Sequence, residues 1–434
     1  MGVWHITAPG TPPSRAPPAH HVYQDHTLTF CNPWDSAVKP SVADLVQGLQ
    51  WGERGTPSPQ GGSVDATEAH APDSDPVPLM PDPMPTETPD FAFDPGAARA
   101  KATWLGHAGV LVQLPPVPGL SRPLRALFDP IFSERCSPSS WWGPRRAYVA
   151  PCRVADLPTI DFVFISHNHY DHLDIPTIDQ LWTHFSDTVH FFVPLKNKAW
   201  LLQLPLGLPA DRITELDWWD EAQCRVQASD AQVRIVCTPA QHGSGRTLYD
   251  AGHTLWSSWV LEHGPDMFRV FFGGDSGFCM RRADEPLGAP SSFPELPAFR
   301  EIAQRIGEPD LSFLPVSVGA TYAYVKSFDP LPDWLSPVPR LHEGLTGANH
   351  MTAADAVRVF QQMHEARAAR PPLAIAIHWG TFVGGREDVQ ETVTRLQEAC
   401  THYGIPLVRH VDTLTQPTFA LLHHGQSVSY SGGS

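Results

Sequence analysis

From Ala102 onward the chain reads as short apolar runs bounded by Gly, Pro and Asp: ATWLGHAGVLVQL, LRALFDP, IDFVFISH, VHFFVP, VRIVCTPAQH, LWSSWVLEH, FRVFFGGD, LSFLPVSV and LAIAIHWG. Each has strand length and is rich in β-branched and aromatic side chains, which suit a pleated, buried surface. Between them the apolar spacing changes to three and four. The clearest case is Thr352 to Ala369, where Thr352 is placed to cap the first turn and Ala356, Val359, Phe360 and Met363 share one face. Ile175 to Phe185, Leu296 to Ile306 and Val389 to Cys400 are shorter versions of the same pattern. Strands clustered first, with helices interspersed, predict two sheets flanked by helices, a four-layer αβ/βα sandwich of the α/β class.

The remaining segments differ in how much apolar surface they offer. Residues 1–20 are rich in Pro and small side chains and are expected to be disordered, whereas residues 21–51 carry the anchors LTFCNPW and SVADLVQGLQW and are expected to pack on the body. Residues 52–98 mix Pro, Asp, Glu, Ser and Thr with too few apolar groups to offset ordering entropy, so they read as a flexible linker or insertion. The main folded body is then expected over 99–415, with a C-terminal tail at 416–434.

Composition is that of a soluble globular protein, 42% hydrophobic and 18% charged. The net charge of −16 is uneven: Gly61 to Asp94 holds eight acidic residues and no Lys or Arg. Such a chain lacks the basic footprint of a nucleic-acid binder. Seven scattered cysteines, never spaced Cys-x-x-Cys, argue against a disulfide framework or a thiolate metal site and favour a reducing compartment. The N-terminus lacks the basic start and apolar run of a signal peptide, and no stretch reaches the roughly 18 apolar residues needed to span a bilayer. The expected location is intracellular, cytoplasmic or at the periphery of a membrane.

The chemistry concentrates at His167-Asn168-His169-Tyr170-Asp171-His172, directly after the apolar run Asp161 to Ile165. Alternation along extended backbone lets His167 and His169 point the same way, and the following turn brings Asp171 and His172 near. Imidazole and carboxylate are zinc's ligands where no thiolate is offered. Three further strand-like runs end in His242, Asp275 and His378. Singly, these read equally well as a loop histidine, a turn cap before Gly277 and a core histidine. Together with the first cluster they make seven ligands, suited to two metals bridged by one carboxylate.

HNHYDH with downstream His, Asp and His resembles the metallo-β-lactamase superfamily, and more narrowly the N-acylphosphatidylethanolamine-hydrolysing phospholipase D family. The narrower resemblance rests on F-x-N-P-W at Phe30 to Trp34, T-W-L-G-H-A at Thr103 to Ala108, D-P-I-F-S at Asp129 to Ser133, G-P-R-R at Gly143 to Arg146 and L-P-x-I-D at Leu157 to Asp161. P-A-Q-H at Pro239 to His242, R-T-L at Arg246 to Leu248, L-W-x-S-W at Leu255 to Trp259, G-G-D-S-G at Gly273 to Gly277 and I-H-W-G-T-F at Ile377 to Phe382 extend it. It covers Phe30 to about Leu407, interrupted by the linker. It implies a metallo-β-lactamase sandwich in which His167, His169 and His242 hold one Zn2+, Asp171, His172 and His378 hold the other, and Asp275 bridges. A hydroxide between the ions would attack the diester, releasing an N-acylethanolamine and leaving phosphatidic acid, with Asp171 the candidate to handle a proton.

A ligating histidine usually passes its other N–H to a carboxylate or carbonyl. Asp129 and His107 are the candidates for that support, against a turn residue before Pro130 and a packed core histidine. His350 resembles a family position near the substrate head group, against a loop histidine ahead of a helix. Trp141 and Trp142, beside Arg145 and Arg146, and the apolar Ala199 to Leu208, beside Lys196 and Lys198, are candidates for membrane contact, against ordinary packing of loop aromatics. The resemblance also suggests a homodimer. The chain departs from the family at Gly243, where an aromatic residue is usual, at Ser276, where Thr is common, and in a Pro-rich insertion from Ala320 to Asn349. The competing readings are a lactonase or phosphodiesterase of the same fold acting on a soluble substrate, and a non-catalytic zinc-stabilised binding protein.

Overall fold

A computed structural model describes residues 4–8, 18–50, 84–226, 232–247, 249–285, 290–316, 340–366, 370–383, 386–411 and 413–431. Within them the apolar runs pair into two large sheets. One has nine strands in the order Trp4–Thr7, Glu221–Val226, Gln232–Thr238, Ser258–His263, Phe268–Phe272, Leu311–Pro315, Leu373–Ile377, Thr418–Ala420 and Leu407–Val408. The other has seven, Ile213–Leu216, His190–Pro194, Phe162–Phe164, Leu124–Phe128, Gly109–Leu114, Ala100–Gly106 and Ser427–Tyr430.

The sheets pack through aromatic side chains. Phe128 lies 4.6 Å from Phe164 and 4.9 Å from Phe272, ring centroid to centroid, and Phe164 also meets Phe192 and Trp259. All are buried, and each such ring contributes about 2–3 kcal/mol by leaving water. The opposite faces carry helices. Ile178 and Leu181 of the helix Ile175–Phe185 pack in one cluster with Leu111, Leu127, Val163 and Phe191. Phe299 of the helix Ala298–Ile306 meets Phe271, which the pleat turns away from its neighbour Phe272. The helices Ala353–Gln362 and Arg386–His402 pack on each other nearby. The expected four-layer αβ/βα sandwich is the observed one.

Four expectations change at the margins. Residues 1–20 are not wholly without structure: Trp4–Thr7 pairs antiparallel with Glu221–Val226, the Trp4 ring packs 4.8 Å from Phe162, and its Nε1 donates to Asp161 Oδ1. Trp4 and Ile6 alternate correctly for a strand, a signal hidden by the Pro-rich residues that follow. The linker does not reach 98, because Met84 is buried and Thr86 bridges to His424, while Phe91 packs on the smaller sheet's outer cluster. Residues 51–83 lie outside those described, as does most of the Ala320–Asn349 insertion, of which 340–349 is seen. Nor is 416–434 a tail, since it supplies a strand to each sheet.

The helix expected over Thr352–Ala369 has its predicted cap, Thr352 accepting from Asp355 N, but it ends at Gln362. There the His364 ring donates to Phe360 O at 2.6 Å, giving that carbonyl a side-chain partner. Of residues 21–51, 21–38 pack on the body through buried Phe30 and a Trp34 ring stacked 5.2 Å from Trp218. The helix Val42–Gln47 behind them leaves Val42 and Val46 exposed.

Candidate metal centre

Strand ends build the site. The run after Phe162–Phe164 delivers His167 to His172, the one after Gln232–Thr238 His242, the one after Phe268–Phe272 Asp275, and the one after Leu373–Ile377 His378. His107 sits in the turn between Ala100–Gly106 and Gly109–Leu114, and Asp129 follows Leu124–Phe128. His107, Asp129 and His378 adopt φ of 53°, 36° and 60°, a conformation costing non-glycine residues on the order of 1–3 kcal/mol. Pairing holds them there: His378 N donates to His107 O and Asp129 N to Phe164 O, both at 2.9 Å.

All seven expected ligands converge. His169 Nδ1 lies 2.8 Å from His167 Nε2 and 3.2 Å from His242 Nε2. Asp171 Oδ2 lies 3.5 Å from both His172 Nε2 and His378 Nε2. Asp275 stands between the groups, its Oδ1 2.8 Å from His378 Nε2, its Oδ2 3.3 Å from His172 Nε2 and 3.7 Å from His242 Nε2. Residues His167, His169 and His242 form one metal-sized group, and Asp171, His172 and His378, with His107, form another.

The supporting contacts are more direct than expected. Asp129 Oδ2 accepts from His172 Nδ1 at 2.7 Å, and its other oxygen accepts from Ser166 N. His107 Nε2 is 2.9 Å from Asp171 Oδ2, so this histidine touches the cluster itself. His350 Nε2 is 3.1 Å from Asp275 Oδ2, also within the cluster. Gly277 permits that approach, because a Cβ there would meet Ala348 O at 2.2 Å. Asn349 O accepts from His242 Nδ1 at 2.9 Å.

Sequence reasoning passed over other residues that hold the site. Asn32 Nδ2 donates to His242 O at 2.7 Å. The Arg246 guanidinium lies 3.8 Å over the Tyr170 ring and donates to Asn168 O and Leu173 O, bracing the His-rich loop. Thr381 Oγ1 accepts from His107 N and lies 2.9 Å from His424 Nε2. Asn32, Arg246 and Thr381 all fall inside the quoted motifs, which was the available signal; His424 lies in the segment read as a tail. Of the candidate membrane residues, Trp141 is 90% exposed and Trp142 67%, so ordinary packing does not account for them. In Ala199 to Leu208, Leu201 and Leu208 are buried, and Lys196 and Lys198 donate to Leu28 O and Ile213 O.

Electrostatics divides the cluster. Burial keeps His167, His169 and His242 below the usual histidine range, His169 at about 4, so their imidazoles stay neutral. Burial also opposes charge on His172 and His378, yet Asp275 and Asp171 prevail and lift both, His378 to about 9. Both carboxylates are held well below their usual range by those histidines, against burial. The donor set fits a cation on a further observation. His172 Nε2, both His378 nitrogens and Asp275 Oδ1 are buried without a hydrogen-bond partner, although they lie close together. A buried polar atom left so costs about 1–3 kcal/mol, which a shared cation relieves.

Sandwich and site together define the class: the β-lactamase superfamily domain matches residues 125–379, and that fold implies divalent-metal binding. N-acyl-phosphatidylethanolamine-hydrolyzing phospholipase D 1 of Caenorhabditis elegans is 31% identical over 299 residues, 68% of this chain and 68% of its own length. The mitochondrial enzyme of that activity from Saccharomyces cerevisiae is 27% identical over 63% of this chain and 47% of its own length. An uncharacterized protein of Mycobacterium tuberculosis is 32% identical over 73% of this chain and 68% of its own. Among solved structures, the metallo-β-lactamase fold protein YhfI of Bacillus subtilis aligns with a TM-score of 0.39 at 11% identity, covering 76% of this chain and 98% of that one. The chain belongs to the N-acylphosphatidylethanolamine-hydrolysing phospholipase D family of the metallo-β-lactamase superfamily, and it is a hydrolase.

Proposed function

We propose that the chain is a zinc-dependent phosphodiesterase of phospholipase D type that converts N-acylphosphatidylethanolamine to N-acylethanolamine and phosphatidic acid. The observation that carries this reading is Asp275, whose two oxygens reach both ligand groups. The substrate is taken from the nematode relative. His167, His169 and His242 would hold one Zn2+, Asp171, His172 and His378 the other, and Asp275 would bridge them; imidazole and carboxylate without thiolate suit zinc. Two such ions supply Lewis-acid activation of water and neutralise the charge of the diester.

The side chains then have distinct tasks. Asp171, its Oδ2 beside His107 Nε2, takes the proton of the attacking water. The new bond joins that oxygen to phosphorus, the bond from phosphorus to the ethanolamine oxygen breaks, and the proton ends on the departing alkoxide. His350, beside Asp275, faces the substrate head group. The phospholipid is met at a membrane surface through Trp141 and Trp142; no helix among the described residues is long and apolar enough to cross one. The active form is a homodimer.

The deciding experiment measures N-acylethanolamine released from mixed micelles of N-acylphosphatidylethanolamine, with zinc per chain determined on the same preparation. Release that disappears in Asp275→Asn and after chelation supports the proposal. A protein carrying two zinc ions per chain that releases none overturns the substrate and leaves the metal assignment intact.

A further inference from the structure

A second group of metal-type donors lies outside the centre described above. His20 Nε2 is 2.7 Å from Asp217 Oδ1, and His21 Nε2 is 2.8 Å from Asp217 Oδ2. The three side chains are each more than nine-tenths buried. One ordinary hydrogen bond explains the first contact. It does not explain the second, because His21 Nε2 is buried without a hydrogen-bond partner despite its short distance to the carboxylate. The same signature, close donors without hydrogen-bond geometry, marks His378 and Asp275 in the main centre.

The surroundings favour a cation over a bare ion pair. His20 lies 4.1 Å from the Trp218 ring and His21 5.4 Å from the Phe30 ring, so the donors sit in an aromatic shell that keeps the local dielectric low. Asp217 is fixed by accepting from Trp218 N at 2.8 Å and by its own N–H donating to Asp220 Oδ2.

We infer that His20, His21 and Asp217 form a further binding site for a divalent transition metal of the zinc type, with three protein ligands and a position left for water. Two imidazoles and one carboxylate select such ions over magnesium or calcium. The site ties the segment 18–38 to the end of the strand Ile213–Leu216. That segment carries Asn32, which holds the His242 carbonyl, so the tie braces the main centre from a distance. The inference does not depend on the phospholipase reading.

The test compares the chelator-stripped full chain with His21→Gln and His20→Gln, each dialysed against Zn2+ and measured for metal per chain, with Asp275→Asn reporting the main centre. The expected result is one equivalent fewer in each histidine variant than in the parent, additive with the loss in Asp275→Asn, and a zinc-dependent rise in melting temperature that is smaller in the variants. Equal metal content and equal zinc-dependent stabilisation in parent and variants would overturn the site. Should one variant fail to fold, the other decides.

Discussion

Asp129 Oδ2 lies 2.7 Å from His172 Nδ1, which fixes the proton on that nitrogen and turns His172 Nε2 toward Asp171 and Asp275. The carboxylate itself is fully buried and is oriented by the backbone N–H of Ser166. Replacing it with Asn keeps the shape and removes the charge that supports His172. Asp129→Asn is expected to weaken metal affinity by roughly 10–100-fold, the usual cost of losing such outer support. Competition with a chromophoric chelator measures it, and an unchanged affinity would show that His172 needs no such partner.

Thr381 offers a cleaner separation of stability from chemistry. Its hydroxyl accepts from His107 N and meets the fully buried His424 ring. Thr381→Val keeps the volume but leaves the His107 amide without its acceptor, at a cost of about 1–3 kcal/mol. Denaturant unfolding of chelated protein would register the loss, and a midpoint equal to the parent's would contradict it.

The exposed pair Trp141 and Trp142 makes a prediction about surfaces. Changing both to Ala should leave the melting temperature nearly unaltered, since so little of either ring is covered. Co-flotation with phospholipid vesicles should fall severalfold, because indole favours the head-group region. Full retention on vesicles would remove these residues from the membrane contact.

His190 predicts a pH dependence away from the metal centre. Burial, aided by Arg212 and Lys198, lowers its pKa from 6.5 to about 3, and its Nε2 lies 2.8 Å from Thr214 Oγ1. The unfolded chain therefore takes up a proton that the folded chain refuses between these values. Its contribution to stability is complete above about pH 6.5 and is lost as pH falls toward 3, at up to about 1.4 kcal/mol per pH unit. The acid limb of a plot of unfolding free energy against pH should be shallower in His190→Gln. Parallel limbs would exclude this residue as a source.

The sheets and the metal cluster could be read from the chain because their signals are local. Apolar runs such as Phe162 to Ile165 announce strands, and His167 to Asp171 alternate within a few residues. What escaped the reading depends on distant partners. Trp4 becomes a strand residue only because Phe162 and Asp161 receive its ring and its N–H. His107 enters the cluster through a left-handed backbone held by His378 N, and nothing near position 107 foretells that bond. His350 reaches Asp275 because Gly277 lets Ala348 come close, a contact across some seventy residues. The supposed tail at 416–434 was misjudged for the same reason, as Ser427–Tyr430 forms a strand only against Ala100–Gly106.

That last strand also bears on biosynthesis. Ser427–Tyr430 covers the edge of the strand that leads into His107, and His424 lies beneath Thr381. A growing polypeptide therefore emerges with His107, the HNHYDH loop and even His378 already made but without the residues that seat the first of them. Such long-range closure is slow compared with local folding. Until Ser427–Tyr430 pairs with Ala100–Gly106, every expected ligand up to His378 is present while the Thr381 hydroxyl that holds His107 lacks its own partner His424, so closure of this strand is the step that completes the seating of the centre.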